Sequence, residues 1–234
     1  MTARNHNSAW FVLTAFVLAL LAVPRLHAQS VLVDQVIAVV NGELILESDI
    51  DEERRFEAFQ PFRGAVGPTS RAELINRLID RALILQQAKL QPNDRVTVIE
   101  AQDQLKTIRE DIPACKSFHC NTEAGWQKFV QDQGFSLPQI NELWRQRMEI
   151  LRFIELRFRS GIRVSPEEIK SYYDKTLSPE LIRQNTQPPP LDTVSDRIQE
   201  ILLQERVGSL LTDWLTSLKA QGTVRIMKPG EEAP

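Results

Sequence analysis

Apolar positions along the chain change their spacing in a way that marks out successive elements. Residues 31–40 are mostly apolar and rich in β-branched side chains, and residues 43–46 form a shorter, mostly apolar run. Between them stands Asn41-Gly42, a pair favoured in type I′ turns because both central residues take positive φ. This predicts a β-hairpin over residues 31–46. A lone hairpin is marginal in water and needs a third strand or a covering helix. Helical spacing follows. Ser48, with Asp51 three residues on, predicts an N-cap, and Asp49, Glu52 and Glu53 crowd a first turn where the helix dipole favours negative charge. Ser70 with Glu73 starts a second helix whose stripe is Leu74, Leu78, Ala82 and Leu85, flanked by Ile75 and Ile79. Thr97 with Glu100 starts a third, carrying Val98, Ala101, Leu105 and Ile108. Trp126, Phe129 and Val130 mark a short helix stopped by Gly134. "SLPQ" at 136–139 opens a long helix to about Arg159, with Ile140, Leu143, Trp144, Ile150, Leu151, Ile154 and Phe158 on one face. Ser165 to Glu168 opens another, bearing Ile169, Tyr172 and Tyr173.

Two proline-bearing stretches break the pattern. Residues 60–70 read as a loop, and "LSPELIRQNTQPPP" at 177–190 reads as a loop or linker. Residues 191–220 are helical in spacing, but the halves do not share a stripe. Val194, Ile198, Ile201 and Leu202 point one way; Val207, Leu210, Leu211, Trp214 and Leu218 point the other, with Gly208 near the change. The halves should bury against different partners, with a kink near Gly208. "TVRIM" at 223–227 alternates like a strand. If it joins the 31–46 hairpin it covers an open edge and brings both ends of residues 29–227 into one domain, with 228–234 as a tail. The expected fold is mainly α: a helical body over 48–175, a C-terminal helix, and a small sheet made of the N-terminal hairpin and the C-terminal strand.

The start of the chain changes the picture of where the protein works. "WFVLTAFVLALLAV" at 10–23 is apolar apart from Thr14, follows Arg4 and ends at Pro24. It is short for a membrane span, which needs about 20 residues, and reads as a secretory signal peptide over residues 1–28, cleaved after Ala28. Leu26 departs from the small residue expected at that position, which leaves an uncleaved anchor as the alternative. Residues 1–28 hold two of the 28 Lys and Arg and none of the 31 Asp and Glu, so the remainder carries a formal charge of −5. An acidic chain without a basic run is a poor nucleic-acid binder. Export bears on the only two cysteines, Cys115 and Cys120 in "CKSFHC". They are expected to form a disulfide across a short loop, worth about 2 kcal/mol. Free thiols, or a metal site with His119, are the alternatives.

Candidate chemistry is sparse. With His6 and His27 in the leader, only His119 remains, which leaves histidine catalysis almost nothing to work with. No nucleophile-elbow, metalloprotease, Walker or dinucleotide pattern occurs. The carboxylates sit mainly at helix starts, where capping explains them. What remains are candidate peptide-binding groups. Phe56, Phe59 and Phe62 lead into a Pro/Gly loop and serve either the core or a ligand. Arg147 lies within the apolar face of the long helix, as an anchor for a carboxylate or carbonyl or as a side chain whose stem packs while its head pairs or reaches water. Phe153 and Leu156 lie off that face, as a binding surface or as cover for another helix. Arg145, Arg152 and Arg159 recur every seventh residue and either steer acidic ligands or form a solvated face.

The order of parts carries a resemblance. A signal peptide is followed by "VIAVVNGELILESDID", "LINRLIDRALILQQAKL", "GFSLPQINELWRQRMEILRFIELRF", "VSPEEIKSYYD" and "PPLDTVSDRIQEILLQERVGSLLTDWL". This resembles the SurA-type periplasmic chaperones and related exported parvulin-type foldases over most of residues 31–227. The resemblance implies a periplasmic, cofactor-free holdase for unfolded outer-membrane or secreted polypeptides, with no small-molecule substrate and no membrane contact beyond the signal peptide. In that family a parvulin prolyl-isomerase domain commonly precedes the final helix. Here only the short 177–190 linker stands in that place, too little for an isomerase domain, so a non-enzymatic chaperone is expected. An assembly or scaffold subunit for one envelope partner is the alternative, and a prolyl isomerase is the third reading.

Overall fold

The computed structural model describes residues 34–61, 69–91, 95–228 and 231. The chain divides after Val33 into two units, and every described residue belongs to the second. The expected signal peptide and residues 31–33 of the expected hairpin lie outside the described residues. Strand β1 (Val36–Val40) turns through Asn41 (φ 51°) and Gly42 (φ 87°) into β2 (Glu43–Leu46), the two positive φ values that the Asn-Gly pair predicts. Strand β3 (Val224–Ile226) pairs antiparallel with the other edge of β1, giving the order β2-β1-β3. Asn41 ties the hairpin turn to the segment that enters β3. Its N–H donates to the Thr223 carbonyl and its Oδ1 accepts from the Thr223 N–H, both at 2.8 Å.

Helix α1 (Glu47–Phe56) begins directly off β2. Ser48 is therefore already in the first turn, and the expected Ser48–Asp51 box does not form. Asp49 accepts from the Leu46 N–H at 2.7 Å, Asp34 accepts from Ser48, and Asp51 pairs with Arg54. The other four boxes form as the sequence predicts: Ser70/Glu73 on α2 (Arg71–Ala88), Thr97/Glu100 on α3 (Val98–Ile108), Ser136/Gln139 on α5 (Leu137–Arg157) and Ser165/Glu168 on α6 (Pro166–Tyr172). Between α3 and α5 lie the 3-10 turn Pro113–Phe118, which carries Cys115, and helix α4 (Glu123–Asp132); Cys120, in the turn between them, closes the disulfide with Cys115. Both cysteines are thereby withdrawn from the free-thiol and metal alternatives.

The first half of the expected 177–190 loop is helical. A π-helical turn (Tyr173–Leu177) runs into α7 (Ser178–Arg183), with Pro179 in the first turn, where its missing N–H costs nothing. The Tyr173 hydroxyl donates to the Pro189 carbonyl at 2.6 Å. Helix α8 (Leu191–Gln221) passes through Gly208 without interruption. Its change of stripe is met by a change of partner. Arg206 pairs with Glu168 of α6, and Glu200 with Arg159 beyond α5, in the first half; Lys219 pairs with Asp80 of α2 in the second.

Two hydrophobic cores result. A mixed core joins β1, β2, Ile50, most of the buried face of α2, Phe153, and Leu211, Trp214, Leu215 and Leu218 of α8. An aromatic core joins Phe56, Phe59, Trp126, Phe129, Phe135 and Trp144 to α3 and the disulfide. Helices α1 and α5 each contribute to both.

Candidate functional site

Where α1 and α5 pass from one core to the other, the side chains do not close over completely. A groove of about 730 Å³ opens there between α1, α2, α5 and α8. Phe56 and Leu143 reach it from the aromatic core, and Ile84, Ile150, Leu211 and Leu215 from the mixed core. Leu151 lies on its edge, 51 % exposed. A second cleft of about 490 Å³ lies between the β-hairpin, α2 and the start of α5 and shares Arg81 and Leu143 with the groove. A smaller one, of about 180 Å³, includes Phe153 and Leu156.

The floor of the groove holds a charged cluster. Glu53 and Glu57, 2 % and 5 % exposed, face Arg77 and Arg81 one turn apart on α2. Arg77 Nη1 lies 3.2 Å from Glu53 Oε1 and 3.0 Å from Glu57 Oε1, and Arg81 bonds the other oxygen of Glu53. Burial works against the Arg77 charge, but its hydrogen bonds to both carboxylates outweigh that and raise its pKa. Removing one partner here would leave a charge buried and unanswered, the costly way to break such a cluster.

Arg147 is in the opposite condition. Its guanidinium lies 5.5 Å from the Trp144 ring centroid, and among the described residues no carboxylate or carbonyl accepts from it. Burial pulls its pKa below the ordinary arginine value; Glu53 offsets this in part, and Arg81 and Arg77 add to it. Arg147 lines the groove, and its guanidinium has no acceptor there among the described residues.

The other candidates part company. Phe59 is fully enclosed, with ring centroids at 4.9 Å from Phe129 and 5.5 Å from Phe135, so it is core. Phe56 is buried with its edge on the groove. Phe153 is 5 % exposed rather than a surface group, because α8 covers it: its ring lies 5.5 Å from that of Trp214. Leu156 is 48 % exposed at the small cleft. Phe62 lies outside the described residues. Arg145, Arg152 and Arg159 are all engaged, with Glu142 and Glu149, with Glu100, and with Glu155 and Glu200, so they are a paired face rather than a free basic stripe. Sequence reasoning missed the Glu53/Glu57 and Arg77/Arg81 cluster. Its signal was the matching four-residue spacing on adjacent helices. Among the described residues no cluster of His, Cys, Asp or Glu could hold a metal ion, and no helix is long and apolar enough to cross a membrane.

This arrangement of hairpin, helical body, long C-terminal helix and closing strand is the fold of the SurA-like chaperones. A solved chain from the work on two such proteins of Campylobacter jejuni, the virulence factor PEB4 and the periplasmic protein Cj1289, matches with a TM-score of 0.52 and 13 % identity, covering 82 % of this chain and 99 % of that one. In sequence the chain is similar to the chaperone SurA of Hydrogenovibrio crunogenus, 23 % identical over 192 residues, which is 77 % of this chain and 42 % of the relative. It is also similar to the chaperone SurA of Pseudomonas aeruginosa, 24 % identical over 62 % of this chain and 34 % of the relative, and to that of Pseudomonas syringae pv. tomato, 27 % identical over 66 % and 35 %. The chain thus spans well under half the length of the curated relatives it matches. No protein-family model matches it.

Proposed function

We propose that this protein is a periplasmic, ATP-independent holdase that binds unfolded polypeptides, outer-membrane proteins foremost, along the groove between α1, α2, α5 and α8. The observation that carries this reading is the groove itself: an open trough with six aliphatic side chains in its walls, paired charges on its floor, and an Arg147 that has no acceptor among the described residues. Such a lining supports weak, exchangeable contacts with extended chains. Aliphatic walls take side chains of many shapes, and the polar floor offers partners to peptide N–H and C=O groups that would otherwise be desolvated. The similarity to SurA chaperones supports the same reading and the periplasmic location. The protein acts without prolyl isomerase activity. Between Tyr173 and Leu191 the chain spends its residues on a π-helical turn, α7 and a short extended segment.

The test is light scattering of an unfolded outer-membrane protein diluted from urea. The protein is expected to suppress aggregation at a small molar excess, and aggregation undiminished at several-fold excess contradicts the proposal. A proline-peptide isomerisation assay is expected to stay at background.

A further inference from the structure

The groove holds one charge that its own residues do not answer. Glu53 and Glu57 are taken by Arg77 and Arg81, Asp80 by Lys219, and Glu73 by Ser70. Of the charged side chains lining the groove, Arg147 alone has no acceptor among the described residues. A guanidinium keeps its charge at neutral pH even when burial lowers its pKa, so the cost of its partial desolvation is best offset by an anion. Leu143, Ile150 and Leu151 stand three or four residues from it on the same face of α5, and Leu211 and Leu215 of α8 line the same groove.

We infer that this end of the groove takes the C-terminus of a bound polypeptide, with the α-carboxylate on Arg147 and an apolar last side chain against Leu151 and Leu215. The inference rests on the reading of the groove as a polypeptide site. A planar guanidinium matches a carboxylate with two parallel N–H bonds. In a C-terminal residue the carboxylate and the side chain leave the same carbon, so one residue satisfies a charge and an apolar wall that adjoin. An internal Asp or Glu would instead bring a peptide N–H and C=O against the aliphatic wall, which costs desolvation.

The test is fluorescence anisotropy with the purified protein and labelled peptides of one sequence ending in Leu-Phe: the free acid, the C-terminal amide, and an amide with an internal Glu in place of Gln. The free acid is expected to bind roughly tenfold more tightly than either amide, and Arg147→Met is expected to abolish that difference. Equal binding of acid and plain amide overturns the inference and leaves the groove reading standing. Tightest binding by the Glu-bearing amide overturns it in favour of an acidic side chain. Failure of every peptide to bind overturns both. The acid–amide comparison needs no variant, so it decides even where Arg147→Met lowers stability.

Discussion

The aromatic core draws its buried side chains from residues 56–59 and 96–144, with a disulfide between residues five apart inside the second stretch. The mixed core draws on residues 37–50, 74–84, 153 and 215, and its sheet is completed by a strand 182 residues beyond the hairpin turn it bonds. The aromatic core packs Phe56 and Phe59 against a compact stretch that already holds a disulfide; the mixed core closes only when β3 reaches back to β1. The groove lies on the seam between them, lined from both sides. A groove on such a seam has walls from two packed bodies, while Leu151 at its edge stays half exposed because neither core reaches far enough to bury it.

The largest expected effect separates the two cores directly. Phe59→Ala removes the ring that contacts Phe56, Trp126, Phe129 and Phe135 and should cost about 3–5 kcal/mol in urea unfolding. Leu215→Ala, at the more open edge of the mixed core, should cost about 2 kcal/mol, at the low end for a core leucine. Equal losses would mean that the aromatic core is no better packed than the other.

A smaller effect tests the closure of the mixed core. A Cβ at Gly222 would stand 2.6 Å from Asn41 Oδ1 and 3.1 Å from the Leu218 carbonyl. Gly222→Ala should cost about 1 kcal/mol, and less in an Asn41→Gly background, where the crowding oxygen is gone. A penalty unchanged in the double variant would show that the Asn41 contact is not what closes the sheet.

The smallest effect concerns the tie between α3 and α5. The Thr97 N–H, then Arg152, hold the Glu100 carboxyl at about 2, below its usual 4.5. A folded pKa below the unfolded one contributes stability that is fully present above about pH 4.5 and is lost as pH falls towards 2. Glu100→Gln should therefore flatten part of the fall in Tm across that window. Identical slopes for variant and parent would contradict the assignment.

Much of this architecture can be read in the sequence where the signal is local. Asn41-Gly42 announces its turn, and four of five capping boxes stand where Ser or Thr meets Glu or Gln three residues on. The failures are non-local. Phe153 lies off the apolar stripe of α5, and its burial depends on Trp214, far along the chain. Leu151 lies on the stripe yet is half exposed, because periodicity reports which face is apolar and not whether anything covers it. Ser48 misleads because β2 enters α1 without a spacer, so the cap comes from Asp34 across the hairpin. Arg147 was legible as an anomaly on an apolar face, but its lack of a partner depends on where Glu53 and Glu57 are spent, and that is a property of the α1–α2 packing.

The central claim is that unfolded polypeptides lie on the seam between the two cores. The most direct measurement is photo-crosslinking of an unfolded outer-membrane protein to two versions of this protein, one with the crosslinker at Leu151 on the groove edge and one with it at Lys116 on the disulfide loop. The account predicts strong adducts from Leu151, competed away by unlabelled unfolded chain, and few from Lys116. Equal adducts from both positions, or adducts from Lys116 alone, would contradict it.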